Sequence, residues 1–310
     1  MSTLIILIVT FGLGFVIFAA LAAGLTTTLQ SVVAPLKRNA PATLAVLVAN
    51  FVLVPLLTAL TLHAFGFTAQ ATMAFALLSV VAGASFVAMF TKLGHGDVAF
   101  ASSMSFLLLV VTIPFMPLVL PWLLGVLDVP HANVTTWHLL RPLLWFLVLP
   151  LGIGLIVRWR YPALAQELAP HFGQVALVSV ALHITLMFVA YWDQVTAELG
   201  TGEYLYSIFM PIGCVVIGYG ACVLFTRGVP PPADGAISLP AALATAQKGS
   251  QALICSLIFA MGTFPIAGVV ALGSSVITVV ILVVGAAEVG KWYERRHVPE
   301  ATTQRVTVPA

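Results

Sequence analysis

Nine apolar stretches follow one another along this chain, near 4–24, 43–65, 69–91, 97–124, 138–157, 173–192, 204–226, 236–259 and 264–289. About 20 apolar residues in a helix are enough to cross the hydrocarbon of a bilayer, so each stretch is long enough to span. Composition leaves no soluble alternative. Hydrophobic residues make up 61% of 310 positions, and Asp, Glu, Lys and Arg together only 7%, against about 25% in a soluble domain. A soluble globule keeps much of its surface polar and has no interior large enough for such an excess. A soluble enzyme, a disordered chain and a nucleic-acid-binding domain are therefore excluded. The fold class expected is an all-α polytopic membrane protein, with nine helices in residues 1–294. Residues 295–310 are polar with no sustained apolar period, and read as a disordered cytoplasmic tail.

The first stretch lacks a basic n-region and is longer than a signal-peptide core, so it reads as a spanning helix. Cys214, Cys222 and Cys255 lie in apolar runs with no metal or redox spacing, and read as packing thiols. Charge sets the orientation. Lys37 and Arg38 follow the first stretch, Lys92 the third, Arg158 and Arg160 the fifth, and Arg227 the seventh. Lys291, Arg295, Arg296 and Arg305 follow the ninth, so ten of the twelve basic residues share one side. The opposite loops carry Asp128, Asp193, Glu198 and Glu203, with Arg141 as their only nearby base. By the positive-inside rule the N-terminus is outside and the C-terminus cytoplasmic, in a multi-pass protein of the cell membrane.

One basic residue remains. Lys248 lies in ISLPAALATAQKGSQALICSLIFA, with about eleven residues on either side. That is about 16 Å from either end at 1.5 Å per residue, too far for a lysine to snorkel easily. Gln247, Gly249, Ser250 and Gln251 surround it with polar, flexible neighbours. A re-entrant piece with Lys248 at an interface is one reading. The other is a midplane substrate or ion site, and an intramembrane ionisable residue favours it.

The third stretch has a counterpart in Ala82-Gly83-Ala84-Ser85, also near its middle. The third and eighth stretches cross in opposite directions, five apart. Paired midspan interruptions of this kind point to a transporter of inverted repeats whose broken helices meet at the binding site. Each break would expose backbone N–H groups at the start of its second half, here Ser85–Val87 and Ser250–Ala252, where the helix dipole is positive. Two such ends beside the Lys248 ammonium make an anion-attracting pocket. A small organic anion is the substrate class expected, with the lipid bilayer as surroundings, no nucleic-acid partner, and a monomer sufficient for the site.

With these residues the chain resembles the bile acid:sodium symporter family. The resemblance rests on AGLTTTLQ at 23–30, ANFVLVPLL at 49–57, GASF and KLGHGDVAFASS within 83–103, and TAQKGSQALI at 245–254. Nine stretches match members lacking the first of ten helices. The resemblance implies a panel of 4–24, 138–157 and 173–192 against a core of 43–124 and 204–289, with alternating access between them. The two breaks give Lys248, Gln247, Gly249, Ser250, Gly83 and Ser85 as the substrate site, and the resemblance adds Asn50 and Ser105. It also implies a degenerate sodium site. The family's acidic ligand falls on Leu243, its Ser-Asn pair on Val87 and Ala88, and a further serine on Ala101. Only Asn50, Ser105 and Gln247 keep an oxygen at a matching place. The expectation is therefore no cofactor and no retained metal, with Lys248 standing in for the bound cation. An ammonium able to release its proton there would also couple transport to protons. Sodium-coupled symport of a bile acid or other organic anion is the alternative, and a channel or non-transporting receptor is the alternative of another class. An enzyme is not expected, since no HExxH, no midspan carboxylate pair and no G-x-S-x-G occurs.

His183, inside the sixth stretch, reads as a hydrogen bond to a neighbouring helix in preference to a proton relay. Ser102 and Ser103 read as packing residues, and Glu288 with Lys291 as an interfacial pair.

Overall fold

The structure is a computed structural model that describes residues 2–83, 86–129, 135–198, 202–227, 237–260 and 265–297. Its elements are α1 (Ser2–Thr26), α2 (Leu29–Arg38), α3 (Ala40–Val48), α4 (Val54–Phe65), α5 (Ala69–Val80), α6 (Val87–Leu93), α7 (Val98–Val126) and α8 (Thr136–Leu143). They continue with α9 (Leu149–Arg160), α10 (Pro162–Ala190), α11 (Trp192–Glu198), α12 (Gly202–Phe225), α13 (Ser238–Ala246), α14 (Ser250–Ala260) and α15 (Pro265–His297). Among the described residues, seven unbroken apolar helical segments are long enough to cross a membrane. The third and eighth sequence stretches are instead each made of two short helices, α5 with α6 and α13 with α14. The polytopic all-α class is as expected.

Two of the seven segments contain a π-helical turn, Ala49–Leu53 between α3 and α4 and Leu144–Val148 between α8 and α9. Each turn ends one or two residues before a proline, Pro55 or Pro150, which has no N–H to continue the α ladder. The N–H of Val54 reaches back to Ala49, and that of Leu149 to Leu144, so the widened turn absorbs the defect. Gly66 then closes α4 in the left-handed conformation, φ 62°, and Thr68 caps α5 by accepting from the N–H of Ala71.

Three boundaries differ from the sequence reading. Residues 29–38, between the first two apolar stretches, form α2: Thr28 and Ser31 exchange side-chain to backbone hydrogen bonds in a capping box. The sixth stretch begins at Pro162, eleven residues before 173, because a polar and largely exposed extension carries no apolar signal. The tail expected from 295 is still helical to His297 in α15; residues 298–310 lie outside the described residues.

Helices α1, α9 and α10 pack together as a layer. Gly24 and Gly154 bring α1 and α9 so close that a Cβ on Gly154 would lie 2.6 Å from the Leu21 carbonyl oxygen and 3.0 Å from the Gly24 Cα. His183 of α10 bonds through Nδ1 to the Ile8 carbonyl of α1 at 2.9 Å, the interhelical role expected. The other layer is built on α5, α7, α12, α13, α14 and α15, around fully buried Phe75, Phe90, Phe100, Met104 and Leu108. Trp122, Trp137, Trp145, Trp159, Trp192 and Trp292 are all exposed. Glu288 and Lys291 pair at 2.8 Å, and the three cysteines are free and buried.

Candidate functional site

Both breaks begin in extended backbone, at Val81 and Gln247, and they touch. Val81–Gly83 separates α5 from residues outside the described set, and Gln247–Gly249 separates α13 from α14. A Cβ on Gly249 would collide with the carbonyl oxygen of Ala82, so only glycine permits this approach. Gly83 has φ 86°, and a Cβ there would collide with the backbone N of Leu109. Glycine is therefore required at both centres, for close approach at one and for conformation as well at the other.

An unwound peptide at membrane depth must find partners away from water. For Ala82 the partner is Thr112 of α7. Its hydroxyl accepts from the Ala82 N–H at 3.0 Å and donates to the Ala82 carbonyl at 3.3 Å. On the other break, the N–H of Gln247 closes α13 onto Leu243, and the Gly249 carbonyl receives the N–H of Leu253 in α14. Thr245 donates to Ala241 and receives the Asn50 carboxamide at 3.3 Å, tying α13 to the π turn of the second span. Neither Thr112 nor Thr245 was a sequence candidate. Their signal was that of lone hydroxyls in apolar runs, but each partner lies tens of residues away.

Two cavities flank the crossing. A cleft of about 410 Å³ lies between α1 and α10 on one side and α7 with the breaks on the other. Gly83, Ser105 and Gln251 line it. Its walls are the C-terminal half of α1 and the N-terminal halves of α7 and α10, the halves next to Arg38, Lys92 and Arg158 in the chain. A second chamber of about 230 Å³ holds Gln247 and Lys248, walled by α15 and by Ile184 of α10, with Ser275 and Thr278 as hydroxyls. Phe86 and Val180 line both cavities and form the wall they share.

The sequence candidates thus divide. Gly83 and Ser105 face the cleft, where the Ser105 hydroxyl donates to Ala101. Gln247 and Lys248 face the chamber, and Gly249 makes the crossing itself. Asn50 lines neither; it is 1% exposed, held by Val46 and Thr245. Ser250 begins α14, with its backbone N–H at the helix start as expected. Ser85 lies outside the described residues. Ser102 also lines the cleft, and Ser103 packs by donating to Ser31 and Ala99.

Electrostatically, the chamber is unusual. Lys248 is 8% exposed, and its Nζ has no hydrogen-bond partner among the described residues. The side-chain oxygens of Asn50 (Oδ1), Gln247 (Oε1) and Gln251 (Oε1) are likewise buried without a donor among them. Leu243, Val87 and Ala101 are buried apolar side chains. Orphaned amide oxygens could contribute to a hard cation, which unwound carbonyls coordinate in other transporters. Among the described residues no Asp or Glu lines either cavity, and a lysine is inserted in the break.

An all-helical membrane bundle in which two interrupted helices meet at their unwound centres has the architecture of a polytopic membrane transporter with broken helices at its centre. A model of the Sodium Bile acid symporter family matches residues 10–198, more than half of the sequence, and the chain belongs to that family. Human sodium/bile acid cotransporter 4 is 25% identical over 208 residues, which are 65% of this chain and 46% of that protein. The chain spans less than half the length of that relative. The family match covers the first break and the cleft-lining parts of α1, α7 and α10; Lys248 lies beyond it.

Proposed function

We propose that the chain is a secondary transporter, and not an enzyme, that carries a small organic anion across the cell membrane by alternating access. The panel would be 4–24, 138–157 and 173–192, rocking against a core of 43–124 and 204–289. The substrate carboxylate would meet Lys248 in the chamber, with Gln247, Gly249, Ser250, Gly83, Ser85, Asn50 and Ser105 building or lining the route. With the N-terminus outside, the cleft beside Arg38, Lys92 and Arg158 faces the cytoplasm. A monomer is sufficient for this cycle, and no cofactor takes part.

The observation that carries this reading is the Lys248 side chain: buried, without a hydrogen-bond partner among the described residues, and facing a cavity. An unpaired buried charge is strongly unfavourable, and an anionic substrate is the partner that would offset it. Sodium coupling would be weak or absent, because Lys248 supplies the positive charge. A sodium-coupled symporter is the second reading, favoured by the similarity to the human sodium/bile acid cotransporter 4 and by the orphaned oxygens of Asn50 and Gln247.

Uptake into proteoliposomes tests both. Uptake of a radiolabelled organic anion should saturate, show counterflow, and persist when sodium is replaced by potassium. A drop to half or less without sodium favours the second reading; conductance that does not saturate indicates a channel, and binding without flux a receptor. Lys248→Gln should weaken the apparent affinity about tenfold to a hundredfold, the worth of a hydrogen bond to a charged group. The same variant should melt at a higher temperature, since the unpaired charge is gone. A lysine with only a structural role predicts the opposite sign for stability.

A further inference from the structure

A third cavity, of about 750 Å³, lies away from the crossing between α4 and α12. It runs from Gly66 and Glu203 at one end to Val54 and Cys214 at the other. Eleven residues of α12 separate Glu203 from Cys214, or about 16 Å along the helix. Phe65, Leu205 and Phe209 on its rim are 73%, 58% and 64% exposed, so in a bilayer the length of the groove along α12 opens to hydrocarbon, with its Glu203 end at the start of that span. A void of this size against lipid is filled by lipid, because its lining otherwise forgoes all dispersion contacts.

Polarity is confined to one end. Glu203 is 5% exposed. Its Oε1 accepts the Thr68 N–H at 2.9 Å, while Oε2 is buried with no donor among the described residues. The Tyr206 hydroxyl is already paired with Thr61 at 2.9 Å. No Lys, Arg or His is among the described residues lining the groove. A buried carboxylate oxygen without a donor is costly, and a cationic N–H donor satisfies both its charge and its lone pair. The geometry points to a binding site for a bilayer amphiphile with a primary ammonium head group, the head at Glu203 Oε2 and an acyl chain lying along α12.

Phosphatidylethanolamine and phosphatidylcholine of identical chains are the probes, since the choline head has no N–H donor. Each is titrated into the purified full chain in detergent while its thermal unfolding is followed. Phosphatidylethanolamine should bind about tenfold more tightly, and Glu203→Gln should bring the ratio to within about twofold. Gly213→Leu serves where Glu203→Gln does not fold. A Cβ at Gly213 meets only Leu57, at 4.0 Å, so a leucine grows into the groove without a clash and should weaken both lipids about tenfold. Equal affinities in the unmodified protein, a preference that survives Glu203→Gln, or undiminished binding to Gly213→Leu would each overturn the assignment. None of these outcomes depends on Lys248 or on transport.

Discussion

Thr112 offers a test of how the crossing is held. Its hydroxyl is fully buried and serves both polar groups of one unwound peptide, at 3.0 and 3.3 Å. Thr112→Val keeps the shape and removes the hydroxyl, leaving the Ala82 N–H and carbonyl without a side-chain partner at a residue 1% exposed. Each buried group left unpaired costs about 1–3 kcal/mol in water-soluble proteins. In membranes the unfolded reference also finds partners, and measured values fall toward about 0.6 kcal/mol per bond. For two bonds to one peptide, a loss of about 2 kcal/mol follows. Thr112→Ser keeps both bonds and deletes one methyl, at about 0.8 kcal/mol. The valine variant should therefore be the less stable of the two by about 1 kcal/mol, which is about 1.5 °C in Tm for a chain of 310 residues. Thermal unfolding of both in the same detergent reads this directly. Apolar packing alone predicts the reverse order, because valine fills the site and serine does not. A valine variant that melts at or above the serine variant would refute the claim that Thr112 clamps the break.

Two further pairs of substitutions test neighbouring features. Gly249→Ala meets the Ala82 backbone, which cannot give way, and should abolish folded protein on size-exclusion chromatography; Gly220→Ala, with open space around its Cβ, should be neutral or gain up to about 1 kcal/mol. Asp97 caps α7 by accepting the Phe100 N–H at 2.8 Å and also pairs with half-exposed Arg38 at 3.0 Å. Asparagine preserves the cap, so Asp97→Ala should lose about 1 kcal/mol more than Asp97→Asn in thermal unfolding. Equal losses would mean that the ion pair, and not the cap, is what matters.

What the sequence made legible follows from the range of each signal. Spans read well because 20 apolar residues in a row are a local property, and the breaks read well because Gly83, Lys248 and Gly249 disturb apolar helices within a few positions. Helix α2 escaped because its cap, Thr28 with Ser31, is ordinary polar sequence beside a basic turn. The partition of the site escaped for a different reason. Candidates carried over by resemblance gather into one list, whereas the bundle sorts them by helix face: Gly83 and Ser105 toward the cleft, Gln247 and Lys248 toward the chamber, Asn50 toward α13. The wall between the two cavities is Phe86 and Val180, apolar residues with no sequence mark. Thr112 and Glu203 share that fate in polar form, since a hydroxyl or carboxylate acquires meaning only from what it leaves satisfied or unsatisfied at a distance in sequence. The orphaned atoms on Lys248, Gln247, Gln251 and Glu203 are therefore the most informative structural addition. In lipid there is no water to satisfy them, and each specifies the chemistry of a partner: an acceptor for the lysine, donors or a cation for the oxygens.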